Sequence, residues 1–516
     1  MKKKIFWVLF LGFLIRLLAL NQSLWLDEAI TANVVSRFSY LDIITKFSPT
    51  DFHPPLYYLF MKFWTNIFGY GEIALRFPSV IFSIITAWIV YLMGKALKSE
   101  KVGLWVAALF LFNPLIIYYS QEARPYMLVT MFTTLIVYYL LAPRSSLERS
   151  GVMKSSKLNS SIQNSNIAGP VGDFFPTSAR DFKKVKSLRA VGSPFISATR
   201  NIVLINMFIF LSFLTFYGSI FFIFAMYLWL LFKRKYKLLL MLSPGFILAV
   251  VLIFPLFAQQ YVNSKVALLD VKNWSLVLGK ANLKNLFLIP IKFSIGRISF
   301  EPKIVYYFIA GFWSIFVFSF VIMERLRGAI GSKNKKILSL RSRMTKSNSW
   351  DEKQAFFWLF FVTLGIGFLA SFFTPVLQYF RFIYLIPLLS ILLALSIKNN
   401  YIKIITLSGF TIFSFIYLLN PIYHREDWKS LVKDIKTKEV YMITSSSDPV
   451  KYYNKSIEVK NLKSLNGFQL ENEITVIPYA AEIYGLDYKK ELKDKGYKIE
   501  SEKTHRELQV EMWKIN

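Results

Sequence analysis

The sequence contains no cysteine and only three histidines among its 516 residues. The absence of cysteine excludes disulfide bonds, thiolate metal sites and a cysteine nucleophile. With only His53, His424 and His505, a histidine-rich metal site is excluded as well. Acidic residues are also scarce, because 31 of them stand against 62 lysines and arginines. The remaining candidates for chemistry are therefore a few carboxylates and the arginines.

Apolar residues are abundant and come in long blocks. Hydrophobic residues make up 54% of the chain and aromatic residues 17%. Runs of roughly 20 apolar residues are typical of transmembrane helices. The sequence therefore predicts a mainly α, polytopic membrane protein with about eleven transmembrane helices. The predicted spans are residues 5–20, 73–97, 102–119, 124–142, 202–216, 219–232, 238–257, 303–322, 355–373, 381–397 and 401–419.

The basic residues cluster between these spans and predict their orientation. When Lys2–Lys4 is placed in the cytoplasm, every long basic loop falls on that same side, as the positive-inside rule requires. The loop 21–56 then lies outside and carries four acidic residues against two basic ones. We therefore expect a multi-pass protein of the cell membrane, with a cytoplasmic N-terminus. The formal net charge of +31 does not indicate nucleic-acid binding, since no base-stacking or groove-reading motif accompanies it.

Three further regions differ from the spans. Residues 21–72 contain aromatic-rich stretches too short to span, which predicts interfacial helices in the first outer loop. The insert 143–200 is polar and basic without apolar periodicity, so a disordered cytoplasmic loop is expected there. Residues 421–516 alternate short helical and strand patterns, which predicts a small extracytoplasmic α/β domain. Residues 1–420 are expected to form the transmembrane domain.

Four clusters of polar residues fall on the outer side of this topology. They are Asp27-Glu28, Asp51 to Pro55, Gln121 to Tyr126, and Tyr379 to Tyr384. Ionisable groups at membrane depth are costly and usually face a cavity or one another. A carboxylate can remove the proton of an attacking hydroxyl. Arginine suits a phosphate leaving group, because its planar fork of donors matches the phosphate oxygens. The clusters therefore favour glycosyl transfer.

Several motifs in these clusters resemble those of the GT-C glycosyltransferases, in particular the bacterial relatives of protein O-mannosyltransferases and of the lipid A aminoarabinose transferase. The similarity covers about residues 1–420. The motifs are Leu24-Trp25-Leu26-Asp27-Glu28, His53-Pro54-Pro55-Leu56-Tyr57-Tyr58, Leu75-Arg76-Phe77-Pro78-Ser79, Ser120-Gln121-Glu122-Ala123-Arg124-Pro125-Tyr126, and Arg381 to Pro387. The resemblance implies a polyprenyl-monophosphate sugar donor and an inverting transfer on the outer face. The acceptor would be a hydroxyl of a protein, a lipid or a cell-envelope glycan.

The resemblance also implies roles for individual residues. Asp27 would be the general base, with Glu28 as its catalytic neighbour. The remaining assignments are His53, Arg124, Arg381 and Tyr384 for binding the substrate or donor phosphate, and Glu122 and Asp51 for the second acidic position. Some members of the group bind a divalent metal ion. The set that would hold one here is Asp27, Glu122 and His53, although no cofactor is certain.

Structural interpretations of the same residues remain open. The two acids at 27 and 28 could simply favour a helix N-terminus. His53 could punctuate a turn, Glu122 and Arg124 could pair with each other, and Arg381 could be a snorkelling anchor. The alternative function is a transporter or flippase of lipid-linked saccharides. That function predicts charges in the middle of spans and broken inverted repeats, whereas the predicted spans are almost free of charge.

Overall fold

A computed structural model of the chain describes residues 2–141, 194–335, 347–467 and 471–515. The part before residue 420 is helical throughout. Its elements are Lys2–Leu17, Leu26–Arg37, Tyr40–Asp42, a π-helix Ile43–Phe47, a 3₁₀ helix Ser48–Thr50, Leu56–Phe68, Glu72–Leu97, Glu100–Leu111, Pro114–Ser120, Tyr126–Leu141, Pro194–Thr215, Ser219–Phe232, Tyr236–Leu242, Pro244–Asp270, Trp274–Leu278, Leu283–Ile295, Lys303–Lys335, Ser347–Ala370, a 3₁₀ helix Tyr379–Leu385, Ile386–Ser396 and Asn400–Leu419.

Each predicted apolar run is helical, although the runs 102–119, 238–257 and 381–397 are each divided between two helices, so the mainly α membrane architecture is confirmed. Within the described residues, six helices are long and apolar enough to cross a membrane. A seventh span would be the pair Glu100–Leu111 and Pro114–Ser120, which is bent by 63°. Asn113 lies at that bend and its side chain caps the second helix. Three further apolar helices are shorter, so the count of about eleven spans stays a prediction.

The predicted loop 143–200 lies mostly outside the described residues. Its last part is a correction, because the helix Pro194–Thr215 begins eight residues before the predicted span at 202. A hydrogen-bonded helix propagates past the end of an apolar run when the next residues cost little to add. The apolar pattern therefore marked the buried or lipid-facing part of this helix and not its start.

The helix Ile386–Ser396 lies at the centre of the membrane part. Ten of its eleven residues are buried, Ile386 to Leu395, which is the pattern of a helix surrounded by other helices. Neighbouring helices approach closely at Gly94 and Gly103: a Cβ added to Gly94 would lie 2.9 Å from the Gly103 Cα, and one added to Gly103 would lie 2.5 Å from the Tyr91 backbone oxygen. The continuous stretch Tyr236–Asp270, formed by the helices Tyr236–Leu242 and Pro244–Asp270, has by contrast only 22% of its most apolar segment buried. It therefore lies at the periphery.

The C-terminal region forms a five-stranded sheet with short helices. Its strands are β1 Glu439–Met442, β2 Glu458–Asn461, β3 Glu473–Val476, β4 Tyr497–His505 and β5 Leu508–Ile515, in the order β2-β1-β3-β5-β4. Its helices are Trp428–Asp434, Asp448–Tyr453, Ala481–Tyr484 and Tyr488–Asp494, with 3₁₀ turns at Pro421–Tyr423, Thr444–Ser446 and Leu462–Gly467. The predicted small α/β domain is confirmed. The antiparallel hairpin β4-β5 was not predicted, because β4 is exposed along most of its length and shows no apolar alternation.

This domain packs on the same side of the membrane helices as the first loop. The Asn33 side chain donates to the backbone and side-chain oxygens of Asp448 at 3.0 and 2.8 Å. The backbone N–H of Leu24 donates to the Tyr453 hydroxyl at 2.8 Å. The charge pattern predicted that the two segments share a side, and these contacts agree with it. Which side faces the cytoplasm stays a prediction.

Candidate functional site

Asp27 lies in the first turn of the helix Leu26–Arg37, directly after the extended residue Trp25. A carboxylate is favoured there by the helix dipole. Its Oδ2 is 3.2 Å from Nη2 of Arg124, and 32% of its side chain remains exposed. Asp27 is therefore held in place by one ion pair while its carboxylate stays accessible to a reactant.

Glu28, the next residue, is fully buried. Its Oε1 accepts from Nε of Arg76 at 2.8 Å and its Oε2 from Nη2 of the same arginine at 2.5 Å. The backbone N–H of Ala123 also donates to Oε1. Arg76 in turn donates to the backbone oxygens of Leu20, Gln22 and Ser23. Glu28 and Arg76 thus tie the start of the first loop to two other segments.

Arg124 connects Asp27 to the second predicted cluster. Its Nη2 lies 3.3 Å from Nε2 of His53, and His53 Nδ1 lies 3.5 Å from Oδ2 of Asp51. Burial raises the pKa of Asp51, but the charges of His53 and Arg124 outweigh it, so the pKa lies below its usual value. The loop that carries His53 is fixed by Gln260, whose side chain donates to the backbone oxygens of Ser48 and His53.

Glu122 is also buried, but it faces a different arginine. Its Oε1 accepts from Nε and Nη2 of Arg425 at 3.3 Å each. Burial raises the pKa of Glu122, although Arg425 opposes the shift, and the nearby Glu28 adds to it. The sequence left open that Glu122 and Arg124 pair with each other. The structure pairs each of them elsewhere, with Arg425 and Asp27.

Two arginines at this site were missed by sequence reasoning. Arg425 follows the last membrane helix, and its guanidinium lies 3.6 Å from the centre of the Trp25 ring. Arg297 follows the helix Leu283–Ile295, and its Nη1 donates to the Tyr118 hydroxyl at 2.5 Å. Arg425 is 303 residues from Glu122 in sequence, so no local pattern links the two. The only available signal was that both arginines fall in predicted outer segments.

Arg381 reaches the same region. Its guanidinium lies 5.9 Å from the centre of the Phe380 ring and within electrostatic range of Arg124 and Tyr126. Throughout the described part of the chain, neither Arg381 nor Arg297 has a carboxylate within ion-pair distance. Both therefore keep guanidinium donors that no carboxylate of the described residues neutralises.

Tyr384 makes its hydrogen bond away from this cluster, and its predicted role with the phosphate ligands stays a prediction. Its hydroxyl donates to the backbone oxygen of Gly218 at 2.8 Å, and its ring packs edge-on against Phe222. The side chain is buried between helices. The separation is along the helix axis: Tyr384 lies one turn, about 6 Å, beyond Arg381 in the 3₁₀ helix Tyr379–Leu385, so its side chain meets Gly218 and Phe222 instead of the cluster.

The predicted metal set of Asp27, Glu122 and His53 is not assembled either. No group of three or more His, Asp or Glu side chains in the described ranges is arranged to hold a metal ion. Arg124 stands between Asp27 and His53, and Arg425 occupies the side of Glu122. Guanidinium groups thus take the places next to these carboxylates, and the donor set does not fit a divalent cation.

The arrangement combines one accessible carboxylate with several buried arginines at one end of the helices. A carboxylate can accept a proton from a hydroxyl nucleophile. Arginines can bind a phosphate and stabilise the charge that develops on it as it leaves. The site therefore has the parts that a transfer from a phosphate-linked donor needs.

Comparison with known proteins gives a family match over part of the chain. A family model described as dolichyl-phosphate-mannose-protein mannosyltransferase matches residues 52–144, the segment that holds His53, Arg76, Glu122 and Arg124. No curated protein matches the sequence.

The fold is similar to that of ArnT from Cupriavidus metallidurans, a GT-C fold. The apo structure of ArnT and its structure bound to undecaprenyl phosphate each match with a TM-score of 0.50 and 10% identity, over 98% of this chain and 97% of that chain. The oligosaccharyltransferase AglB from Archaeoglobus fulgidus, in complex with an inhibitory peptide and a dolichol-phosphate, matches with a TM-score of 0.47 and 10% identity, over 88% of this chain and 64% of that chain. The match with ArnT confirms the predicted GT-C fold.

Proposed function

We propose that this protein is an integral-membrane glycosyltransferase that moves a hexosyl or pentosyl group from a polyprenyl-monophosphate donor to a hydroxyl acceptor. The observation that carries the proposal is the pairing of Asp27 with Arg124 at 3.2 Å, with the carboxylate still exposed. Asp27 takes the proton from the acceptor hydroxyl as its oxygen attacks the anomeric carbon. The bond to the phosphate breaks on the opposite face, so the configuration is inverted.

The leaving group is polyprenyl phosphate, and arginines are placed to receive it. Arg297 and Arg381 have no carboxylate partner in the described ranges, whereas Arg124 already holds Asp27. A phosphate with two negative charges satisfies such donors well, because each guanidinium offers parallel N–H groups. The similar fold of ArnT, solved with undecaprenyl phosphate, supports a polyprenyl-phosphate carrier.

The other carboxylates take supporting roles in this proposal. Glu28 positions the first loop through Arg76 and does not touch the reactants, because its oxygens are buried and paired. The pair of Asp51 and His53 helps to orient Arg124, because His53 contacts the same Nη2 that pairs with Asp27. Glu122 holds Arg425. The catalytic role of the first loop therefore falls to Asp27 alone.

The orientation follows from the charge pattern. We place the N-terminus in the cytoplasm of a multi-pass cell-membrane protein and the C-terminal domain outside, because the basic loops collect on the opposite side from Asp27. The reaction then takes place on the outer face.

The proposal is tested by supplying the purified protein with polyprenyl-phosphate hexoses and pentoses together with an envelope extract. Release of polyprenyl phosphate is followed over time. Asp27→Asn should lower this release by about 10²–10⁴-fold, the usual contribution of a general base. The matched control is Asp42→Asn, an acid of the same loop that pairs only with Lys46 and Ser39, which should release at the wild-type rate.

A transporter or flippase would behave differently in the same assay. It would move the intact donor across the vesicle membrane without releasing polyprenyl phosphate. Asp27→Asn would then leave the amount of intact donor unchanged. Absence of release from every donor by the wild-type protein would overturn the glycosyltransferase proposal.

A further inference from the structure

The C-terminal sheet has a topological switch point between β1 and β3. The chain passes from β1 to β2 on one side and then returns across β1 to β3 on the other, and these three strands are parallel. In open α/β sheets, ligands bind outside the carboxyl ends of the strands at such a point. Here the two loops that leave these ends are residues 443–447 and 477–480.

The carboxyl ends of these strands face the site around Asp27. The helix that follows loop 443–447 begins at Asp448, which accepts two hydrogen bonds from Asn33 on the same helix as Asp27. The helix that follows loop 477–480 accepts two hydrogen bonds from Asn273, at Glu482 and Ile483. The domain is therefore held on both sides with its switch point turned towards the membrane helices.

Tyr479 connects this edge to the site through Glu426. Its hydroxyl donates to Oε1 of Glu426 at 3.2 Å, and Glu426 directly follows Arg425 of the site. Burial raises the pKa of the Tyr479 hydroxyl, and the carboxylates of Glu426 and Asp27 raise it further. The next residue, Ala480, has a φ of 67°, which is costly for a residue other than glycine and is typical of functional loops.

The side chains at the switch point are rich in hydroxyl groups. Thr444 and Ser445 are exposed, and the Ser445 hydroxyl lies 2.8 Å from the hydroxyl of Tyr484. Lys463 covers the Tyr484 ring with its ammonium group 4.0 Å from the ring centre. Glu426 is 8% exposed, and its Oε2 is buried without a hydrogen-bond partner in the described structure.

We propose that loops 443–447 and 477–480, together with Glu426 and Tyr484, form a subsite for the carbohydrate part of the acceptor and present one of its hydroxyls to Asp27. Hydroxyl, carboxylate and tyrosine side chains on a half-exposed surface match the alternating donors and acceptors of a sugar. An extended peptide would instead pair with backbone groups along a free sheet edge, and the switch point offers loop side chains. The proposal rests on the proposed glycosyl transfer and names the acceptor as a glycan.

The subsite is tested by photo-crosslinking in the full-length protein. Ser445 or Tyr484 is replaced with p-benzoylphenylalanine in the native host, and membranes are irradiated. We expect an adduct that reacts with a hydrazide probe after periodate oxidation, which turns the vicinal diols of sugars into aldehydes, and whose crosslinked peptide after trypsin digestion carries a sugar mass and no second peptide. The matched control is the same replacement at Lys498, which is exposed on the distant edge strand β4 and should give several-fold less adduct.

Two results overturn the subsite. A crosslinked peptide joined to a second peptide would show a protein acceptor, and equal labelling at Ser445, Tyr484 and Lys498 would show no subsite at all. The outcome is separate from that of the donor assay. Release of polyprenyl phosphate without a glycan adduct would overturn the subsite but support the glycosyltransferase proposal. A glycan adduct without release would support glycan binding at the subsite but overturn the glycosyltransferase proposal.

Discussion

The two faces of the first-loop helix treat adjacent carboxylates in opposite ways. On the inner face, Glu28 is completely buried and accepts three hydrogen bonds from Arg76 and Ala123. On the open face, Asp27 has a single ion pair and keeps 32% of its side chain exposed. Successive helical residues point about 100° apart, so one turn suffices to separate them. Within this one motif, Glu28 therefore stabilises the fold, while Asp27 remains available for chemistry.

The largest effect that separates the two faces is the loss of transfer in Asp27→Asn, with the fold intact. Glu28→Gln is expected instead to lower the stability of the fold. This change removes the charge from a buried pair and leaves Arg76 without its counter-ion, which typically costs about 3–5 kcal/mol. We expect a marked fall in melting temperature and in folded yield after extraction. Thermal unfolding in detergent measures it.

The comparison fails if the two variants behave alike. A Glu28→Gln protein of wild-type stability that has lost transfer would make Glu28 a catalytic residue and not a positioning one. Arg76→Gln is the matched variant on the other partner, and it should destabilise the protein by a similar amount because it breaks the same pair.

The sequence could predict this division only in part. The charge pattern placed both acids outside, and the family resemblance selected Asp27. The burial of Glu28 depends on Arg76, which lies 48 residues away, and no local pattern specifies which of two neighbours meets a distant partner. Arg425 and Arg297 were missed for the same reason. The membrane helices were predictable because long apolar runs need no distant information.

A middle-sized effect is expected where the C-terminal segment enters the site. Arg425→Gln removes the two hydrogen bonds to Oε1 of Glu122 and the stack on Trp25. Hydrogen bonds to charged groups are worth about 1.5–3 kcal/mol. Arg425→Lys keeps the charge but loses the planar fork, so it should recover only part of the loss. Thermal unfolding and polyprenyl-phosphate release are measured for both variants.

This experiment tests whether the accessible site around Asp27 is formed by the membrane helices alone or also by the C-terminal segment. If both Arg425 variants equal the wild type in stability and in release, the C-terminal segment does not complete the site. If Arg425→Lys recovers stability but not release, the stacked guanidinium has a role in positioning the acceptor side of the site.

The smallest effect concerns Asp51, which supports Arg124 indirectly, through His53. Because its folded pKa is below the usual value, the ionised carboxylate stabilises the folded state, and this contribution is present above the unfolded pKa of about 3.9. It is lost as the pH falls through the lower folded pKa. The melting temperature of Asp51→Asn should therefore lie below that of the wild type near neutral pH, and the gap should close as the pH falls below about 4. A gap that persists or widens in acid would mean that Asp51 is not stabilised by His53 and Arg124. Asp51 would then belong to neither face of the comparison.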